Sequence, residues 1–371
     1  VPRVRRLATL TIAMLALSAL LPTPVMAAPT LSSRVVQNGL VIPWDVGFAP
    51  NGQMFVTERP GRVRVYASGA PNAELLATST IPNVRAQGEA GLMGLAVDRN
   101  FASNRFVYVC ASRTTNNGWR NQVIRYYVGN AWKLNFNRFI IRNGMVANTI
   151  HNGCAVEHGP DNKIWVTMGD ADHAMWAQDP DRRNGKVLRV NRNGSVPSDN
   201  PIWPGHSSPT IVYSIGHRNP QGIAFQPGTG RVYAVEHGPE KDDEINHIRP
   251  GRNYGWPCRT GNNHPYQSCA GSATYVRPAW SSEGPTLATS GATFVTGGWE
   301  TYNGDLFVST LKQSDLRRFN ASASSSQLTM SNTFFNGTWG RLRAAVLGPG
   351  GRLFLTTSNG TNDRVVRITP H

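Results

Sequence analysis

Three polar stretches interrupt otherwise strand-like sequence, and they carry the residue types that do chemistry. Gly216-His217-Arg218-Asn219-Pro220-Gln221-Gly222 leads to Glu236-His237-Gly238-Pro239-Glu240-Lys241-Asp242-Asp243-Glu244-Ile245-Asn246. That stretch leads in turn to Gly251-Arg252-Asn253-Tyr254-Gly255-Trp256-Pro257. Turn chemistry alone does not call for this density of His, Arg, Asn, Asp and Glu. Upstream, His151 opens a hairpin and Asp170 closes it. An imidazole titrates near neutrality and suits general-base work, and a carboxylate can fix its tautomer. Near the C-terminus Arg341 and Arg343 lie two apart, so a strand would place them on one face. Lys312 adds a further cation. Paired guanidinium groups suit a carboxylate-bearing ligand, which they grip bidentately.

These residues need a scaffold, and the chain repeats one. Alternating apolar residues, a Pro/Asp/Asn/Gly turn and a second apolar run recur six times, over 44–56, 94–109, 155–166, 222–235, 292–308 and 344–355. Each copy reads as a β-hairpin, with glycine or asparagine supplying the turn. One hairpin cannot bury its apolar face. Six, spaced roughly 50 to 70 residues apart, predict an all-β, six-bladed propeller of four-stranded antiparallel blades with long loops between strands. The alternative of a β-sandwich accounts less well for six similar units.

The 371 residues include 37 Gly and 25 Pro but only 16% charged residues, which suits short strands and tight turns rather than a helical bundle. Arg3, Arg5 and Arg6, an apolar run from Leu7 to Leu21 and a small-residue stretch at Val25–Ala28 read as an export leader. The expected organisation is a cleaved leader over 1–28 and a single propeller domain over 29–371. The mature form is expected to have no membrane span and to be secreted or periplasmic. Cys110, Cys154, Cys258 and Cys269 fit such a compartment, and none forms a Cys-x-x-Cys pair. A local Cys258–Cys269 bridge would leave Cys110 for Cys154, but four cysteines allow three pairings and spacing does not choose. The formal charge of +15 is spread along the chain without a basic run or a nucleic-acid motif, so no nucleic-acid partner is expected.

The three polar stretches, together with residues 42–63, 88–97, 151–170 and 341–359, resemble the soluble quinoprotein glucose/sorbosone dehydrogenases in order along nearly the whole mature chain. The resemblance implies a six-bladed propeller that uses pyrroloquinoline quinone and Ca2+ to oxidise the C1 hydroxyl of an aldose sugar to a lactone, with an external electron acceptor. It implies that His151 is the base, that Asp170 orients it and that Arg218 stabilises charge on the quinone. Asn219, Gln221, Thr286, Lys312, Arg341, Arg343 and Asn359 match cofactor-binding positions. The carbonyls of Gly238 and Pro239 match ligands of the catalytic calcium, and Glu244 with the Tyr254 carbonyl matches ligands of a second one. Glu89 stands at a cofactor-binding position where cofactor-binding members commonly have glutamine. The alternatives are a non-catalytic carbohydrate- or protein-binding propeller and a calcium-dependent propeller lactonase.

Overall fold

The computed structural model describes residues 1–2, 28–270 and 274–371. The leader expected over 1–28 therefore lies almost wholly outside the described residues. Six sheets are arranged as a six-bladed propeller of four-stranded antiparallel blades, and in the third blade Arg252–Asn253 adds a short fifth strand in parallel. Each repeat found in the sequence forms the two inner strands of one blade. The innermost strands are Pro43–Phe48, Leu92–Val97, Gly153–His158, Pro220–Phe225, Thr289–Phe294 and Leu342–Leu347.

Two features close the ring. In blade 6 the early strand Leu31–Leu40 pairs antiparallel with Asp363–Pro370, running from Leu31 opposite Pro370 to Leu40 opposite Asp363. Chain ends that would otherwise fray are thereby locked into one sheet. Between blades, apolar faces stack into the core. Phe55, Val63 and Val65 of blade 1 pack with Leu92, Val107 and Val109 of blade 2. Tyr233 and Val235 of blade 4 pack with Leu306 and Val308 of blade 5. Cys110 of blade 2 and Cys154 of blade 3 form a disulfide across 44 residues, and Cys258–Cys269 closes a loop.

All six innermost strands slip register against their neighbours near the start. The shifts fall between Pro43 and Asp45, Leu92 and Leu95, Gly153 and Val156, Pro220 and Gly222, Thr289 and Ala292, and Leu342 and Ala345. A bulge breaks strict alternation and re-aims side chains. Repeated six times, it gathers polar residues at one end of the propeller axis.

Candidate active site

The hub of the site is His151, and its backbone is unusual. His151 (φ 55°), Gly153 (φ 60°) and Cys154 (φ 73°) all sit in the left-handed region. That coil turns the imidazole toward Asp170 rather than along the strand. A side chain at Gly169 would run into the His151 carbonyl, so glycine is required there. His151 Nδ1 lies 2.7 Å from Asp170 Oδ1. Asp170 is 1% exposed and accepts two further bonds, from the Asp172 amide to Oδ1 (2.8 Å) and from Trp256 Nε1 to Oδ2 (2.8 Å). With Nδ1 engaged, Nε2 is the ring nitrogen left for a substrate proton. Trp256 is a partner that sequence reasoning missed. It lies within a stretch singled out for its polarity, but nothing in its spacing links it to Asp170.

Glu89 reaches the same hub. Its carboxylate accepts from the His151 amide (2.9 Å) and from Asn219 Nδ2 (3.2 Å), and Asn219 Oδ1 accepts from the Gly153 amide (3.0 Å). Glu89 and Asn219 thus clamp the backbone that carries the imidazole, and the charge of Glu89 is partly spent on those bonds.

Two cations face this cluster, Arg343 buried and Arg218 half-buried. The Arg218 amide donates to Glu236 Oε2 (2.9 Å), while its Nε is buried without a partner and its guanidinium lies 5.3 Å from the Trp256 ring. Burial pulls the Arg218 guanidinium below its ordinary range, and Asp170 and Glu89 oppose that pull. Arg343 is 6% exposed, stacks 3.6 Å over the Trp44 ring and donates to Gln221 Oε1 (2.9 Å). Burial lowers Arg343 to about 9, with Glu89 acting against the shift and Arg341 and Arg59 adding to it. Neither Arg218 nor Arg343 forms a salt bridge among the described residues. Arg59 is a further cation of this group that the sequence reading did not single out. It donates to the Gly88 carbonyl, and its Nε is buried without a partner.

Arg341 lies just before the strand Leu342–Leu347 and Arg343 within it. Arg343 is buried at the axis, whereas Arg341 is exposed. The Arg341 amide donates to Asn359 Oδ1 (2.9 Å), so Arg341 and Asn359 sit together at the rim. Lys312 is also exposed. Thr286 spends its hydroxyl on Asp243 Oδ1 (2.6 Å), and Asp243 also accepts from the amides of Gly238 and Leu287. Thr286 therefore helps to shape the Gly238–Pro239 loop. Neither carbonyl of that loop accepts a hydrogen bond among the described residues, so both have the free lone pairs a hard cation needs.

Glu244 is buried and accepts from the Gly261 amide (2.6 Å) and Asn246 Nδ2 (2.8 Å). Burial, and then the neighbouring Glu236, push its carboxyl well above the usual range. Asp242, adjoining it, has a buried Oδ1 without a partner and groups with His264 and Glu283 closely enough to hold a metal. The Tyr254 hydroxyl is tied to the His247 carbonyl, away from this cluster, so only the Tyr254 backbone is free to serve it.

Comparison with known proteins adds to this geometry. A family model described as Glucose / Sorbosone dehydrogenase matches residues 40–367. An aldose sugar dehydrogenase of Escherichia coli is 28% identical over 93% of this chain and 94% of its own. Quinoprotein glucose dehydrogenase B of Acinetobacter calcoaceticus is 33% identical over 60% of this chain and 52% of its own. The solved structure of the PQQ-bound form of an aldose sugar dehydrogenase from Streptomyces coelicolor superposes with a TM-score of 0.76 at 26% identity, covering 92% of this chain and 99% of that one.

Proposed function

The chain belongs to the glucose/sorbosone dehydrogenase family, and from that premise we propose that it oxidises aldose sugars at C1 to lactones with pyrroloquinoline quinone as acceptor. One observation carries the reading. Two guanidinium groups whose burial lowers their pKa, Arg218 and Arg343, share the site with an oriented His–Asp pair, and neither forms a salt bridge among the described residues. Burying a cation without a partner is costly, and an anionic ligand removes the cost. A tricarboxylate quinone is such a ligand, and the residues present fit it.

When bound, the quinone would supply a two-electron acceptor, and the Gly238 and Pro239 carbonyls would hold a calcium able to polarise it. His151 Nε2 takes the proton of the sugar C1 hydroxyl, and Asp170 stabilises the imidazolium that forms. Arg218 offsets negative charge that grows on the acceptor side. Arg343 would hold a carboxylate of the ligand, and the exposed Arg341 and Lys312 would supply further charge to it. Asn219 and Gln221 hold the neighbouring polar groups in register, and Asn359 positions Arg341. Glu244 and the Tyr254 carbonyl would hold a second, structural calcium, which would also satisfy the buried Asp242 oxygen. We also place the protein outside the cytoplasm after removal of a leader over 1–28, which suits two disulfides.

The test is to add pyrroloquinoline quinone and calcium chloride to the purified protein. The expected result is a change in the visible spectrum together with dye-coupled oxidation of glucose. Absence of both refutes the redox reading, and tight quinone binding without turnover points to a non-catalytic binder.

A further inference from the structure

Arg218 does its proposed work with its guanidinium, yet that side chain is barely held. Nη1 donates one long bond to the His237 carbonyl (3.4 Å), and Nε has no partner. The main chain of Arg218 is held firmly instead. Its N–H donates to Glu236 Oε2 (2.9 Å), and its carbonyl accepts from the Asp170 amide (2.9 Å). Arg218 therefore ties the His151–Asp170 pair on one side to Glu236 on the other.

Glu236 ends the strand Val232–Glu236 of blade 4 and is 3% exposed. Its Oε1 accepts from Asn246 Nδ2 (2.6 Å) and lies 2.9 Å from His217 Nδ1. A carboxylate only accepts, so His217 Nδ1 donates here. His217 Nε2 lies 2.8 Å from Ser214 Oγ, and the ring stacks on Tyr254 with 4.8 Å between centroids. Ser214, His217 and Asn246 are fully buried. Hydroxyl, imidazole and carboxylate stand in the order of a hydrolase triad. Neither Ser214 nor His217 has exposed surface, so no acyl group reaches the hydroxyl. The connections of this chain run instead to Arg218.

A carboxylate beside an arginine commonly grips the guanidinium. Glu236 does not. It forms no salt bridge with Arg218, and its close basic partner is His217. The charges that oppose the lowering of the Arg218 pKa are led by Asp170 and Glu89. Both Glu236 oxygens are committed, Oε1 to two side-chain donors and Oε2 to the Arg218 amide. The carboxylate is thus fixed on one side and holds only backbone on the other.

We propose that Glu236, steadied by His217 and Asn246, is the positioning residue of Arg218: it fixes that residue through the main chain and leaves the guanidinium charge for the ligand. This role rests on the reading of Arg218 as a cation that faces the quinone. Because the Arg218 carbonyl also bonds the Asp170 amide, the clamp holds the acceptor-side charge and the base in one frame. A charge whose backbone is already in place needs less reorganisation when the ligand arrives and when charge develops on it.

In Glu236→Gln one acceptor oxygen faces the donors of His217, Asn246 and Arg218. It stays with the His217 and Asn246 pair, and the new NH2 group opposes the Arg218 amide. Hydrogen exchange by mass spectrometry, on protein without quinone, should show the Arg218 amide exchanging about tenfold faster. Absorbance titration with pyrroloquinoline quinone and calcium chloride should show Kd raised about tenfold, but by less than about twofold when Arg218→Ala is already present. A residue that only supports the fold would weaken quinone binding equally in both backgrounds. That result, an unchanged Kd or unchanged exchange overturns the proposal. Absence of quinone binding in the unaltered protein refutes the redox reading instead, and exchange at Arg218 then decides the positioning role, as it does if Arg218→Ala binds too weakly to titrate. Should Glu236→Gln fail to fold, Glu236→Asp, which keeps the charge and withdraws it from the Arg218 amide, takes its place in both measurements.

Discussion

Replacing Asp170 with asparagine removes a charge while keeping size, and the geometry says what must follow. The carboxylate accepts three bonds, from His151 and the Asp172 amide on one oxygen and from Trp256 on the other. An amide has one acceptor oxygen. Turned one way, it keeps the His151 contact but sets its NH2 against the Trp256 indole N–H. Turned the other way, it donates to His151 Nδ1, moves the ring proton to Nε2 and abolishes the base. In the first orientation the buried indole N–H loses its acceptor, a cost of about 1–3 kcal/mol. The imidazolium also loses a charge-assisted bond worth about twice a neutral one. A rise of about 3–4 kcal/mol in the barrier corresponds to a fall in kcat of about 10²–10³. The assay is dye-coupled glucose oxidation at saturating sugar with protein reconstituted with quinone and calcium, alongside absorbance titration of the quinone. Because Asp170 stands behind the imidazole, quinone Kd should stay within about threefold. A kcat within about threefold of the unaltered protein refutes the role assigned to Asp170. A loss of rate that merely tracks loss of quinone binding makes Asp170 a scaffold residue only.

Three further outcomes follow from the same geometry. Glu89→Gln removes a negative charge facing Arg218 and Arg343 and should tighten quinone binding about tenfold, or about 1.4 kcal/mol; unchanged or weaker binding in a titration shows that the two arginines already cancel that charge. Cys110→Ser with Cys154→Ser opens a loop of 44 residues and should cost about 4 kcal/mol by chain entropy, against about 3 kcal/mol for the shorter Cys258–Cys269 loop; denaturant unfolding of the two double variants ranks them, and the reverse order contradicts the assignment of the blade 2–blade 3 bridge as the stronger staple. Burial, with Arg249 and Arg231 adding to it, lowers the His247 pKa to about 4. The unfolded chain then binds more protons between about pH 6.5 and 4, so stability falls as pH drops through that window; the Tm-against-pH curve of His247→Gln should be flatter there, and an unaltered slope removes His247 as the cause.

Much of the architecture was legible in the residues. Six hairpins announced themselves through alternation and turn chemistry, because a half-buried strand and a tight turn each constrain residue type locally. Every one became the inner pair of a blade. His151 and Asp170 could be paired because they bracket one hairpin, and Arg218, Asn219 and Gln221 because they crowd one short stretch at the head of an innermost strand.

Local residue patterns therefore fix the kind of fold and the inventory of the site. Which groups meet across blades depends on how the blades pack. Period-2 alternation assigns faces only while register holds, and the bulge at the head of each innermost strand depends on its partner strand. Within blade 6 that slip lies between Leu342 and Ala345, the stretch that carries the buried Arg343. The bond between Trp256 and Asp170 joins residues 86 apart, and that between Arg343 and Gln221 joins residues 122 apart. Closing the ring sets such contacts, so no pattern within a single blade reveals them.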